Sequence, residues 1–316
     1  MLRNYLLLAL RSILRNRTVS FINIFGLAVS MSVCLLLILI VADQYSYDDF
    51  HSKKDRIYRV ITDRIQLKEY VWSTATAPFP LASYLEAHPA IDNLALVERH
   101  FEGIAEWENQ ALPFHGYYTN NDFLRMFDFD LAEGNPSEAL TLPNSIVLTD
   151  HLAKKLFGTS SALNEVIRVE DVGEFIVTGV FKKFEGKSHF DFEALASLHF
   201  ITDQNAISPQ RVRSADWVNI YDSYIYFSIS DNQNSDELLP MLTKAEETFY
   251  DQGSEYEYDF KLQKLTGITP GPLLSNTTGF GLPNFMINIM LGIALVILCS
   301  ACFNYSNLTT ARAINR

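Results

Sequence analysis

The sequence predicts an α+β domain inserted between two transmembrane α-helices. Three observations carry this reading. Phe21–Val41 and Phe285–Phe303 are apolar runs without a charged residue, one near each end of the 316-residue chain. All 37 acidic residues lie between them. Within that middle segment, short strand signals alternate with short helix signals, as in α+β domains.

The average composition, 48% hydrophobic and 20% charged, hides this partition. Residues 1–42 and 285–316 hold six Arg and no acidic residue, so the ends carry +6 and the segment 43–284 carries −18. Such an acidic segment excludes a nucleic-acid partner, which needs a basic footprint. It reads as a solvated surface that keeps a tethered domain soluble.

The elements follow in chain order. Met1–Arg17 places Arg3, Arg11 and Arg15 on one helical arc with Leu2, Leu6, Leu10 and Ile13 opposite. This is either a helix lying in the inner headgroup layer or a basic stub that secures topology. The 21 residues Phe21–Val41 extend roughly 31 Å as a helix, which matches the hydrocarbon core of a bilayer. The run is longer than a signal-peptide core and lacks a small-residue cleavage site, so it is read as a retained span. Asn23, Ser30 and Ser32 are expected to find partners on a neighbouring helix, and Gly26-x-x-x-Ser30 offers a small-residue contact face. Arg11, Arg15 and Arg17 place its first end in the cytoplasm, and Arg312 and Arg316 return the chain there after the second run. The lipid bilayer is thus the first partner.

In the exported segment, Arg56–Thr62 reads as a strand, and Asn121-Asp122 as the cap of a short helix through Met126. Ser145–Leu148 reads as a strand leading to Thr149-Asp150, the N-cap of a helix His151–Phe157 that Gly158 stops. Val166–Val169 and Glu174–Val180 form a hairpin through Glu170–Gly173, and Asp222–Ser230 is a further strand. Glu237–Tyr250 is an amphipathic helix with Leu238, Leu239, Leu242, Ala245 and Phe249 on one side. Thr266–Pro283, rich in Gly, Pro, Ser and Thr, leads back to the membrane.

Catalytic motifs are missing from this inventory. Gly186-Lys187-Ser188 resembles the end of a phosphate-binding loop, but Phe181 stands where that motif needs Gly. His189, Asp191 and Glu193 alternate in a possible strand with His199 nearby; a polar strand face is the ordinary reading, a metal site the alternative. Cys34, Cys299 and Cys302 all belong to the apolar runs, and Cys299-Ser-Ala-Cys302 reads as packing. Trp72, Trp107 and Trp217 read as core, or as a recognition surface. No catalytic, cofactor-binding or metal-binding residue is assigned, no cofactor is expected, and the chain is not read as an enzyme.

Several segments resemble one family in the correct order. They are Tyr47-Asp48-Asp49-Phe50-His51, Asp55–Val60, Asn121–Leu124 with Phe127-Asp128-Phe129, Leu131–Pro136, Ser145–Gly158, Val177–Val180 and Asn307–Arg312. The chain resembles the MacB-like periplasmic core domain of FtsX-like ABC transporter permeases, over essentially its whole length. The resemblance implies a bacterial inner-membrane protein with domains at 1–18 (cytoplasmic amphipathic helix), 19–42 (first span), 43–284 (periplasmic core), 285–305 (second span) and 306–316 (start of the cytoplasmic FtsX-like segment). It implies a cytoplasmic ABC ATPase subunit as partner, a homodimer or second permease half and, in many members, a periplasmic adaptor and an outer-membrane channel. The implied function is coupling of ATP hydrolysis to periplasmic movement in efflux or in lipoprotein or peptide export. Such permeases continue with at least two further crossings, so the chain is expected to be a permease subunit or its N-terminal portion. The alternative is a two-span membrane sensor with a periplasmic input domain.

Overall fold

The computed structural model describes residues 17–203, 216–231, 233–250 and 255–314. The helix expected over residues 1–18 falls on residues 1–16, outside the described residues, and on the start of the first apolar helix. In chain order, α1 (Arg17–Gln44) precedes β1 (Ile57–Gln66), β2 (Tyr70–Thr74), α2 (Pro80–Glu86), β3 (Ile91–Trp107) and β4 (Gln110–Thr119). Then come α3 (Asp122–Met126), β5 (Leu131–Gly134), β6 (Ser145–Leu148), α4 (Asp150–Phe157), β7 (Val166–Val169) and β8 (Gly173–Phe181). The last are β9 (Ala194–Ser197), α5 (His199–Thr202), β10 (Ser223–Ile229), α6 (Leu239–Phe249), β11 (Tyr256–Lys264) and α7 (Asn284–Ile314).

Two units result: a helical one, up to Ser46 and from Leu282, and the domain Tyr47–Gly281. In the helical unit, Ser20–Gln44 and Asn284–Phe303 are long and apolar enough to cross a membrane. Their large side chains, among them Phe21, Leu35, Leu39, Leu295 and Val296, face outward. A core helix of a soluble protein would bury them; a lipid-facing helix presents them to hydrocarbon. The two helices pack on each other, with Cys34 Sγ 3.4 Å from the Ala294 carbonyl. Ser32 differs from expectation: its hydroxyl donates to the Ala28 carbonyl of its own helix at 2.8 Å, because a helix carbonyl four residues back is always in reach.

The domain is built on one mixed sheet in the order β11-β1-β10-β3-β4-β9-β6-β8-β5, with β2 on β1 and β7 against β3 and β8. Its pairings are antiparallel except β4–β9 and β6–β8. The central strands are covered on both faces, so they read as continuous apolar runs. On one face Leu94 and Leu96 of β3 and Ile225 and Phe227 of β10 meet Leu81 and Leu85 of α2 and Leu242 and Ala245 of α6. On the other, Val97, Tyr224 and Tyr226 meet Phe123 and Met126 of α3. A third cluster lies beneath α4, where Leu152 and Leu156 pack on Ile167 and Phe175.

Local signals explain α4 well. Thr149 Oγ1 accepts the Leu152 N–H, Asp150 sits in the first turn and Lys154 and Lys155 in the last, and Gly158 closes it at φ 65°. Three expectations are corrected. Asn121 does not cap α3 through its side chain; it accepts from Leu140 N and donates to the carbonyls of Pro136 and Ser137, stapling the loop after β5. The α-helix expected from Glu237 begins at Leu239, after a 3-10 turn over Ser235–Leu238, since Pro240 lacks an N–H and fits only a first turn. Leu239 and Phe249 are therefore not on the buried side, at 44% and 39% exposed. Finally, residues 189–193 form no strand; β9 begins at Ala194.

The parallel pair β4–β9 depends on Gly116, whose missing Cβ would stand 2.0 Å from the Ala194 carbonyl oxygen. Gly116→Ala is expected to destabilise the domain by about 1–3 kcal/mol through forced strand separation, read as a lowered thermal midpoint of the detergent-solubilised chain.

Candidate functional site

Arg59 is the largest fully buried side chain among the described residues, at 1% exposure. Register puts it there: on β1 it stands opposite Tyr226 of β10 and Gln263 of β11. Its Nη2 donates to Gln263 Oε1 at 2.6 Å, while Nε and Nη1 make no hydrogen bond among the described residues. A guanidinium stays protonated even when buried, so an anion must balance it.

Asp48 is connected to Arg59 through a relay. It follows α1 by four residues and is 1% exposed. His189 Nδ1 lies 2.7 Å from Asp48 Oδ2, and His189 Nε2 lies 2.9 Å from the Tyr226 hydroxyl, which neighbours Arg59. Ser188 Oγ and the His189 backbone N–H also donate to Asp48, at 2.8 and 3.2 Å. Burial works to raise the Asp48 pKa, but its interactions with His189, with the Ser188 hydroxyl and with the His51 ring 3.7 Å away outweigh it and hold the carboxyl well below the usual range. Burial lowers the His189 pKa more than Asp48 raises it, with Arg59 and His51 adding to the lowering. The imidazole is therefore neutral: Nδ1–H donates to Asp48 and Nε2 accepts the Tyr226 O–H.

The same histidine holds the other end of the domain. Thr278 Oγ1 donates to the His189 carbonyl at 3.0 Å, and the Tyr117 hydroxyl donates to the Thr278 carbonyl at 3.0 Å. Gly279 approaches so closely that a Cβ would stand 2.5 Å from the His189 carbonyl oxygen. The segment leaving α1 is fixed further: Asp48 N donates to the Lys187 carbonyl at 2.8 Å, His51 Nδ1 accepts Asp128 N at 3.0 Å, and Ser52 N donates to the Asp128 carboxylate. The segment that leaves one apolar helix and the segment that enters the other thus meet on His189.

Other candidates from the sequence lie elsewhere. Asp191 and Glu193 point away from His189 to His115, at 3.2 and 3.5 Å, and His199 opens α5. Among the described residues no group of three His, Cys, Asp or Glu could hold a metal. Gly186-Lys187-Ser188 precedes no helix, and the Ser188 hydroxyl is spent on Asp48. Trp217 stacks on Phe249 at 3.7 Å, Trp107 donates to Glu165, and Trp72 lies under Arg64. Reading residue by residue missed Asp48, His51, Arg59, Tyr226 and Thr278 as a group. The available signal was the polar cluster Asp48–His51 followed by Arg59 inside an apolar strand.

A second buried charge sits apart, on β3. Glu98 is 3% exposed and its Oε1 lacks a partner among the described residues. Burial, with a smaller contribution from Asp222, pushes its carboxyl up to about 8 despite the hydrogen bond with Ser223.

Two membrane-length helices thus bracket an α+β domain whose two ends share one buried histidine. The family model of the MacB-like periplasmic core domain matches residues 20–245, and the chain belongs to this family. A permease-protein domain from Porphyromonas gingivalis shares the fold at TM-score 0.57 and 15% identity, over 68% of this chain and 91% of that one. The periplasmic region of MacB from Actinobacillus actinomycetemcomitans aligns at TM-score 0.44 and 14% identity, over 66% of this chain and 90% of its own. No curated protein matches the sequence. The chain is accordingly a transporter-permease component and not a classical enzyme.

Asp48→Ala removes the buried acceptor of the His189 ring, the His189 N–H and the Ser188 hydroxyl and is expected to cost about 1–3 kcal/mol. Hydrogen exchange should accelerate together at residues 47–52 and 276–280; acceleration at the first segment alone would show that His189 does not join them. For Glu98, the protonated form is held in the folded state, so stability is greatest below the unfolded value near 4.5 and falls as pH rises through about 8. Glu98→Gln is expected to raise the thermal midpoint relative to the parent chain progressively over that window, with no difference below it.

Proposed function

We propose that the chain is the permease subunit, or the N-terminal portion of one, of a MacB/FtsX-type ABC transporter. In this reading residues 1–18 and 306–316 are cytoplasmic, Tyr47–Gly281 is periplasmic, and a separate ABC ATPase binds on the cytoplasmic side. Movement of the spans reaches the periplasmic domain through the shared anchor at His189, in efflux or in peptide or lipoprotein export. A homodimer or second permease half completes the assembly, and an adaptor and outer-membrane channel receive the cargo. The observation that carries this reading is the meeting of both membrane connections on one buried residue. A stiff joint of that kind transmits displacement without any catalytic group.

The test uses the chain purified from its native membrane and reconstituted with what accompanies it. An ABC ATPase is expected to co-purify, with no hydrolysis traceable to this polypeptide. His189→Ala, in protein shown to be folded, is expected to leave ATP hydrolysis by the assembly within about twofold while export falls at least about tenfold. Hydrolysis by the chain itself, or export unaffected by the substitution, would overturn the proposal.

A further inference from the structure

The joint around Asp48 contains two buried histidines, and each spends a ring nitrogen as a hydrogen-bond acceptor. His51 and His189 are 1% and 2% exposed. His51 Nδ1 accepts Asp128 N at 3.0 Å. That donor is a backbone N–H, which cannot rotate to another partner. His189 Nε2 accepts the Tyr226 hydroxyl at 2.9 Å, while its Nδ1–H donates to Asp48 at 2.7 Å. Both rings are therefore neutral in this fold, since an imidazolium carries a proton on each nitrogen and accepts nothing.

The charges facing the rings set what an added proton meets. Asp48 draws a proton toward both, at 2.7 Å from His189 Nδ1 and 3.7 Å from His51 Nε2. The Asp128 carboxylate, beside His51 in the network, is taken by the Ser52 N–H. Thr278 meets His189 with a hydroxyl and carries no charge. Against Asp48 stand the burial of the His189 ring and the charges of Arg59 on β1 and of His51, which together prevail and lower the His189 pKa. A charged His189 would also donate to the Tyr226 oxygen on β10, which already neighbours Arg59.

Neither histidine lies on a strand or helix, so their bonds can break without unpairing the sheet. Once opened to water, each ring titrates near the free value of about 6.5. The closed joint is at full strength above that pH. It weakens as pH falls further, by up to about tenfold per unit for each ring that stays neutral when closed.

We propose that the joint is an acid-sensitive latch, in which protonation of the buried histidines frees residues 47–52 from residues 276–280 while the sheet stays folded. Above the latch pH the two membrane connections share one anchor; below it each moves on its own. The latch lies at the site of the proposed coupling but does not rest on it, because every group it uses belongs to the domain.

The test is hydrogen exchange of the whole chain in detergent, with rates corrected for the intrinsic pH dependence of exchange. Protection at residues 47–52 and 276–280 is expected to fall about tenfold from about pH 7.5 to about pH 5.5, with β3 and β10 unchanged. The double variant His51→Asn/His189→Asn keeps an acceptor for the Asp128 N–H and a donor for Asp48, and neither amide titrates. Its protection should be the same at both pH values. Arg59→Met replaces the repelling charge with an apolar side chain, which buried sites tolerate well, and should shrink the fall. Protection that is indifferent to pH, that falls equally in the sheet, or that falls as far in both variants as in the parent chain would overturn the proposal. Loss of export or of a co-purifying ATPase bears on the coupling alone.

Discussion

A guanidinium sealed inside a sheet is the constraint around which this domain is arranged. Arg59 has hydrogen-bonding neighbours in Gln263 and Tyr226, and the Asp48 carboxylate stands across the His189 imidazole from Tyr226. Buried ion pairs roughly break even in net stability, because desolvation offsets attraction. What the arrangement secures is position. An Asp four residues beyond a membrane helix can reach the buried imidazole only if the chain between them follows one path. The relay therefore specifies where residues 47–52 run, and Ser188 and the backbone of Lys187 complete the fit.

The sheet supplies the rigidity that such a joint needs. β1 lies between β10 and β11, and the register that sets Arg59 opposite Tyr226 and Gln263 is repeated along the nine residue pairs of β1 and β11. A slip of one residue would turn Arg59 to the opposite face, where Leu85, Leu96 and Phe227 offer no polar partner. The buried polar network and the apolar faces thus enforce the same register. His189 itself sits in an irregular connector and is held by its contacts alone: Asp48, Tyr226 and Thr278 fix its ring and its carbonyl from three directions.

How much of this could be read in the sequence depended on distance along the chain. The helix Asp150–Phe157, the hairpin β7–β8 and the strand Ser223–Ile229 carry their signals within a few residues, as caps, turn glycines and apolar runs, and were legible. The long pair β3–β4 was not. A register shift between Glu98 and Phe101 interrupts its alternation, so the period-two pattern never persists long enough to recognise. α2 starts without a side-chain cap and gives little warning beyond Pro80. At the site, His189 drew notice for its neighbours Asp191 and Glu193, yet its partner is Asp48, 141 residues away. A strand would have placed all three on one face; the irregular backbone turns His189 inward and leaves the acids to His115. Single-sequence patterns are blind to that choice, because it is made by an unbalanced charge on a different strand.

The geometry also limits which motions of the membrane helices the domain can register. If both connections move together, the anchor moves with them and the domain follows as a body, its network undisturbed. If they move relative to one another, the difference must be absorbed between Asp48 and Thr278, and only His189 separates these two. Asp48 grips the imidazole and the backbone N–H, whereas Thr278 grips the carbonyl, so the two pulls act on opposite sides of one residue. Stretching there would loosen the hydrogen bonds that keep the buried Asp48 ionised, which is costly. The buried charge therefore resists relative displacement more strongly than common displacement. A domain built this way is suited to being carried or tilted by its helices as a whole.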